Sequence, residues 1–273
     1  MTSAVGRRHS RFRPCIDLHH GKVKQIVGGS LRDAQDGKGD DEQTLTTNFV
    51  AEHPPSYYAE LYARHNLIGG HIIKLGAGND EAAISALQAW PDRLHIGGGI
   101  DADNARLWLE RGAEKVIVTS YLFPDCKFSF ERLLTLEKIV GRDRLVVDIS
   151  CRRREQGWVV AMNRWQDLTD MVVSKESVDL ISSHCSELLI HAADVEGLCR
   201  GIDQDLVERL GEWCSIPTTY AGGARHLADL EWIDTHSKGR VDVTFGSALD
   251  IFGGSGVKLD DLIAWNTHAE PSS

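Results

Sequence analysis

The sequence is short of most features that would assign it to a specialised class. No apolar run approaches a membrane span; the longest, around Val116, Ile117 and Val118, are strand-sized. Positive charge is in deficit: 30 Lys and Arg stand against 40 Asp and Glu, a net charge of −10. A polyanion or an anionic bilayer is therefore a disfavoured partner, and neither nucleic acid nor membrane is expected. The six cysteines (Cys15, Cys126, Cys151, Cys185, Cys199 and Cys214) form no CxxC pair and show no metal-ligand spacing. This predicts no zinc or other metal site and a reducing, cytoplasmic environment. The basic opening MTSAVGRRHSRF lacks the apolar centre of a secretory signal. It is expected to be a disordered tail over residues 1–11, with a second tail at 267–273. No linker divides what lies between, so residues 12–266 read as one domain, and a chain of 273 residues is long enough to bury a large core.

What is present is alternation. Strand-like runs rich in Ile and Val occur at 13–18, 71–75, 94–97, 115–119, 144–149, 187–191, 218–221 and 241–245. Most lack polar alternation, as parallel strands covered on both faces do. Helical patterns separate them. Pro54 and Pro55 open one over 57–65, and Asp101 is placed to cap another with Ala105, Trp108 and Leu109 on its apolar face. A third, 130–140, stops at Gly141, and a fourth, 205–214, stops before Pro217. The fold class is α/β, and eight strand–helix units predict a (β/α)8 TIM barrel, with an open doubly wound sheet as the alternative.

An internal half-barrel repeat favours closure. HIGGGIDADNARLW aligns with TYAGGARHLADLEW, VIVTSYL aligns with VTFGSAL, and the strand-end acids Asp17 and Asp148 follow the same offset of about half the chain. Two irregular stretches, 31–47 and 151–167, are expected as loops on the catalytic face that act as lids.

The chemistry is expected where the repeats coincide. Asp17 and Asp148 each end an apolar strand, a layout that sets a base and an acid on either side of one small molecule. Burial there raises one of the two carboxyls enough to hold a proton. A capping role is the ordinary fate of a lone strand-end Asp; the repeat argues against it here. Gly98 and Gly99, like Gly222 and Gly223, follow a strand and precede a helix, while Thr119–Ser120 and Gly246–Ser247 end the next strand along. Glycines let backbone N–H groups approach a phosphate, and hydroxyls complete its hydrogen bonds. The plainer reading is a tight turn; two cradles at repeat-equivalent positions point instead to a small molecule with a phosphate at each end. His19–His20 is not expected to bind metal, because adjacent side chains diverge.

The motifs PCIDLHHGKVKQIVGG, HIGGGID, KVIVTSYLF, LVVDISCR, AADVEGLCRGID, YAGGA and VDVTFGSALDIFGG closely resemble the ProFAR isomerases of histidine biosynthesis in their eukaryotic form, from about Phe12 to Trp265. The resemblance implies an aldose–ketose isomerase that needs no cofactor. It would convert phosphoribosylformimino-5-aminoimidazole carboxamide ribotide by an Amadori rearrangement, with Asp17 as base and Asp148 as acid. It also implies stacking of the imidazole carboxamide on Trp165. Three positions depart from bacterial members: His191 replaces a threonine, Glu196 before Gly197 replaces an aspartate, and Asp101 replaces an arginine. Both His191 and Glu196 are expected at the substrate, with Lys74 or the run Arg152, Arg153, Arg154 replacing the lost cation. A monomer is expected. The rival readings are the related cyclase barrel of imidazole glycerol phosphate synthase and a non-catalytic phosphosugar-binding barrel.

Overall fold

The computed structural model describes residues 8–26, 47–155, 157–163 and 165–268. Eight parallel strands form the barrel: β1 (Cys15–His19), β2 (Gly70–Lys74), β3 (Leu94–Gly97), β4 (Lys115–Val118), β5 (Leu145–Asp148), β6 (Glu187–His191), β7 (Thr218–Ala221) and β8 (Val241–Thr244). Each pairs in parallel with the next. The ring closes just ahead of β1, where Phe12 bridges Val243, Arg13 N donates to Val243 O and Val243 N donates to Arg11 O, both at 2.9 Å.

The helices α1 (Pro55–Arg64), α2 (Asp80–Ala89), α3 (Ala105–Glu110), α4 (Phe130–Val140), α5 (Lys175–Ser182), α6 (Gln204–Trp213), α7 (Leu227–His236) and α8 (Leu259–His268) form the outer layer. Local chemistry sets their ends. Ser129 Oγ accepts from Arg132 N to start α4, and Gly141 at φ 84° ends it. Ser174 and Ser177 form a reciprocal cap on α5, and Asp203 accepts from Leu206 N at the start of α6.

Strand residues alternate between two cores. One set packs outward against the helical layer, whose largest buried side chains include Trp108, Tyr58, Tyr62 and Phe252. The other, Ile117, Val146, Leu189 and Ala221 with Ile73 against them, fills the barrel interior and forms a floor under the site.

Four expectations are corrected. Residues 8–11 are not a free tail: Ser10 N donates to Asp234, Arg11 N to Asp242, and Trp265 Nε1 to Ser10 O. At the other end, Thr267 and His268 complete α8. Residues 151–167 are not an irregular loop. Cys151–Arg154, Gly157–Met162 and Asp167–Val173 form an antiparallel three-stranded sheet, because Trp158 and Val160 bury themselves while the arginines find acidic partners. Finally, α3 starts later than expected: Asp101 accepts from the backbone N–H groups of Asp103 and Asn104 and holds a turn ahead of the helix. Of the loop at 31–47, only Thr47 is among the described residues; it begins the strand Thr47–Val50, which pairs with Lys22–Ile26 beside β1.

Candidate active site

Parallel strands all deliver their C-terminal ends to one face, and the inward positions there are Asp17 on β1, Asp148 on β5 and His191 on β6. All three line a cavity of about 320 Å³. Asp17 accepts from Gln25 Nε2 at 3.2 Å. Burial first, and then the neighbouring Glu196 carboxyl, push it up from 3.8 to about 7, against the opposing pull of His191. Asp148 is 7% exposed and accepts from Thr119 Oγ1 at 3.2 Å, from Ser150 Oγ at 3.1 and 3.3 Å, and from His191 Nδ1 at 3.3 Å. Burial disfavours charge on His191, but the Asp148 carboxylate, with Glu196 and Asp17 behind it, outweighs this and carries it up to about 9. Glu196 lies beside the same cavity, its carboxyl raised by burial.

Gly98, Gly99, Thr119 and Ser120 line this cavity on the β3–β4 side. Gly222, Gly223, Gly246 and Ser247, with Gly197, line a second cavity of about 30 Å³, which Asp17, His191 and Glu196 also border. The two cradles thus flank the acid pair. The glycines are not equivalent. A Cβ on Gly223 would sit 2.2 Å from Gly201 O, so chain packing already demands glycine there. One on Gly99, at φ 68°, would meet nothing within 4 Å. The following helices begin only at Ala105 and Leu227, so backbone turns rather than helix ends border the cavities. Asn48 Nδ2 donates to Ser247 Oγ at 2.9 Å and to Gly197 O at 3.0 Å, tying the second cradle to the β6 loop.

Trp165, at φ 65°, enters the first cavity from the three-stranded sheet with Met162 and Asn163. Its ring lies 6.0 Å from that of His191, tilted by 40°. Of the expected replacement cations, Lys74 lines the first cavity, while its ammonium and the Arg152 and Arg153 guanidinia pair with acidic side chains. The Lys74 ammonium lies 2.9 Å from Asp80 and 3.9 Å from the Trp108 ring centre. Arg152 pairs with Asp194 at 2.9 Å, and Arg153 with Asp203 and Asp205. Gln25 and Ser150 are site residues that the sequence reading passed over; Ser150, two positions beyond Asp148, shares its inward face by strand periodicity.

His19 and His20 do not diverge: their ring centres are 4.1 Å apart, because His20 adopts φ 51°. Among the described residues no group of three or more His, Cys, Asp or Glu could hold a metal ion, and no helix is long and apolar enough to cross a membrane.

The family described as "Histidine biosynthesis protein" matches residues 11–254. A Neurospora crassa protein named as an imidazole-4-carboxamide isomerase is 57% identical over 260 residues, covering 94% of this chain and 98% of its own. The Yarrowia lipolytica protein of the same name is 55% identical over 265 residues, with the same coverage. A Medicago truncatula relative, whose name adds "chloroplastic", is 45% identical over 264 residues, covering 96% of this chain and 83% of its own. With matches of this extent, the chain belongs to the histidine biosynthesis protein family, on its isomerase branch.

Proposed function

We propose that this protein catalyses the Amadori rearrangement of phosphoribosylformimino-5-aminoimidazole carboxamide ribotide, turning an aminoaldose into an aminoketose. The observation that carries this reading is that Asp17 and Asp148 border one cavity flanked by two glycine-and-hydroxyl cradles. The substrate has a phosphate at each end and its reacting carbons between them. The cradles grip by backbone N–H groups and hydroxyls, so an acidic chain needs no cluster of Lys and Arg. Asp17, at about 7, is a base matched to neutral pH and removes the C2′ proton. The acid that opens the sugar ring works from the Asp148 side. Trp165 offers a flat apolar face to the imidazole carboxamide, Glu196 borders both cavities, and Gly197 lines the second. On this reading the protein is a cytoplasmic monomer whose partner is the small bis-phosphate alone, and the chemistry requires no cofactor.

The direct test supplies purified protein with the aminoaldose and nothing else. Formation of the aminoketose supports the reading. A requirement for the ketose and ammonia would instead identify a cyclase, and binding without turnover a phosphosugar sensor.

A further inference from the structure

We propose that His191, rather than Asp148, is the group that protonates the sugar ring oxygen, and that Asp148 orients the imidazole. This rests on the proposed rearrangement and assigns its acid.

Two hydroxyls and one imidazole nitrogen converge on the two oxygens of Asp148. Both oxygens of Asp148 are therefore engaged by protein groups. His191 is arranged the other way round. Nδ1 faces Asp148, which fixes the ring, and Nε2 has no protein partner among the described residues while the side chain borders both cavities. The same division of labour, a carboxylate holding one imidazole nitrogen so that the other exchanges the proton, operates in hydrolytic triads. Groups facing His191 come from four directions. Asp148 on β5, Asp17 on β1 and Glu196 on the β6 loop favour the imidazolium. His71 on β2, its ring centre 6.1 Å away, is held neutral by burial and does not compete for charge. Cys15 and Cys199, which border the second cavity, are thiols pushed upward by burial and stay neutral.

The proton count closes over one turnover. His191 Nε2 gives its proton to the ring oxygen as the C1′–O bond breaks and the nitrogen lone pair forms C1′=N. Asp17 then takes the C2′ proton, giving the enolamine. In the collapse to the ketone, C1′ receives the proton held on Asp17, and the C2′ hydroxyl returns its proton to His191. Both groups end in their starting states, and no oxidant or cofactor enters.

The test compares wild type with His191→Gln and Asp148→Asn. Glutamine at 191 can still donate to Asp148, so packing and substrate grip are kept while the exchangeable proton is lost. We expect kcat at neutral pH to fall by about 100-fold or more, with KM within about threefold of wild type. In wild type, the kcat profile should lose activity above pH 9 as His191 deprotonates, and NMR of the labelled imidazole should place its midpoint near 9. Asp148→Asn should lower that midpoint. A His191 midpoint below 7 in wild type overturns the proposal. So does a His191→Gln variant that keeps more than about a tenth of kcat. A wild-type protein that fails to convert the aminoaldose overturns the reaction itself, whereas an active wild type with an unimpaired variant overturns only the choice of acid.

Discussion

At the scale of single residues, the site sets function against stability. Asp17 is held at about 7 against an ordinary 3.8, mainly by burial. Between those two pH values the folded chain binds a proton that the unfolded chain has released, so stability falls as pH rises through the window and is lowest above it. Asp17→Asn should therefore melt at a higher temperature than wild type at pH 8, with the gap closing towards pH 4. At about 1.4 kcal/mol per tenfold change in proton affinity, the ceiling is about 4 kcal/mol. The same variant should lose turnover by about 100-fold or more with phosphosugar binding retained, which calorimetry and a coupled assay read separately. A second residue-scale prediction concerns Gly99. Its Cβ position is open, so Gly99→Ala should cost about 1–2 kcal/mol for the left-handed backbone and weaken competition by inorganic phosphate several-fold. An unchanged phosphate affinity would remove Gly99 from the cradle. Asp17 and Asp148 were legible in the sequence because an acid closing an apolar strand is a local anomaly. Gln25 was not, because a glutamine in KVKQI is unremarkable until the return strand brings it against Asp17.

At the scale of elements, the eight barrel strands were readable to within two residues at either end, and α4 at both ends. Strands covered on both faces leave an unbroken apolar record, and Ser129 and Gly141 mark their helix locally. The three-stranded sheet left no such record. In CRRREQGW the arginines read as a solvated loop, yet Arg153 lies over the Trp158 ring and pairs with Asp203, about 50 residues later in the chain. Partners that distant are invisible to any local window. This sheet matters because it carries Trp165, and its joint to the β6 loop is Asp194, which accepts from Arg152 Nε at 2.9 Å and Arg153 N at 2.6 Å. Arg152 in turn reaches the Trp165 carbonyl at 3.4 Å. Asp194→Ala should therefore leave thermal stability within about 1 kcal/mol, since the pair is exposed. It should raise KM several-fold, because Trp165 and Glu196 lose their common brace. Unaltered kinetics would mean that the sheet positions Trp165 without the joint.

At the scale of the whole molecule, the half-barrel repeat was legible, and it places Asp17 with Asp148 on β1 and β5 and the glycine pairs after β3 and β7. The seam was not. Every other strand neighbour is delivered by an intervening helix, but β8 must find β1 across nearly the full chain, and Arg8 and Arg11, two of the residues at the joint, were read as tail. The joint is built around Asp242, which is fully buried and accepts from Arg11 N at 2.9 Å, Arg13 Nε at 2.9 Å and Arg8 Nη2 at 3.0 Å. Removing that charge leaves the Arg13 guanidinium with Ile68 O as its one remaining hydrogen-bond partner among the described residues. Loss of one partner from a buried pair costs about 3–5 kcal/mol, because the remaining charge keeps its desolvation penalty without its counter-ion. Asp242→Asn should accordingly lower the unfolding free energy by about that amount in denaturant titrations. Asp242 lies near the start of β8 and the proposed cradle Gly246–Ser247 lies past its end, so the fraction that remains folded should keep the wild-type kcat and KM. A stability loss under about 1 kcal/mol would show that backbone pairing at Phe12 and Val243 closes the barrel unaided. A change in KM at unchanged stability would show instead that the two ends of the barrel are coupled through β8.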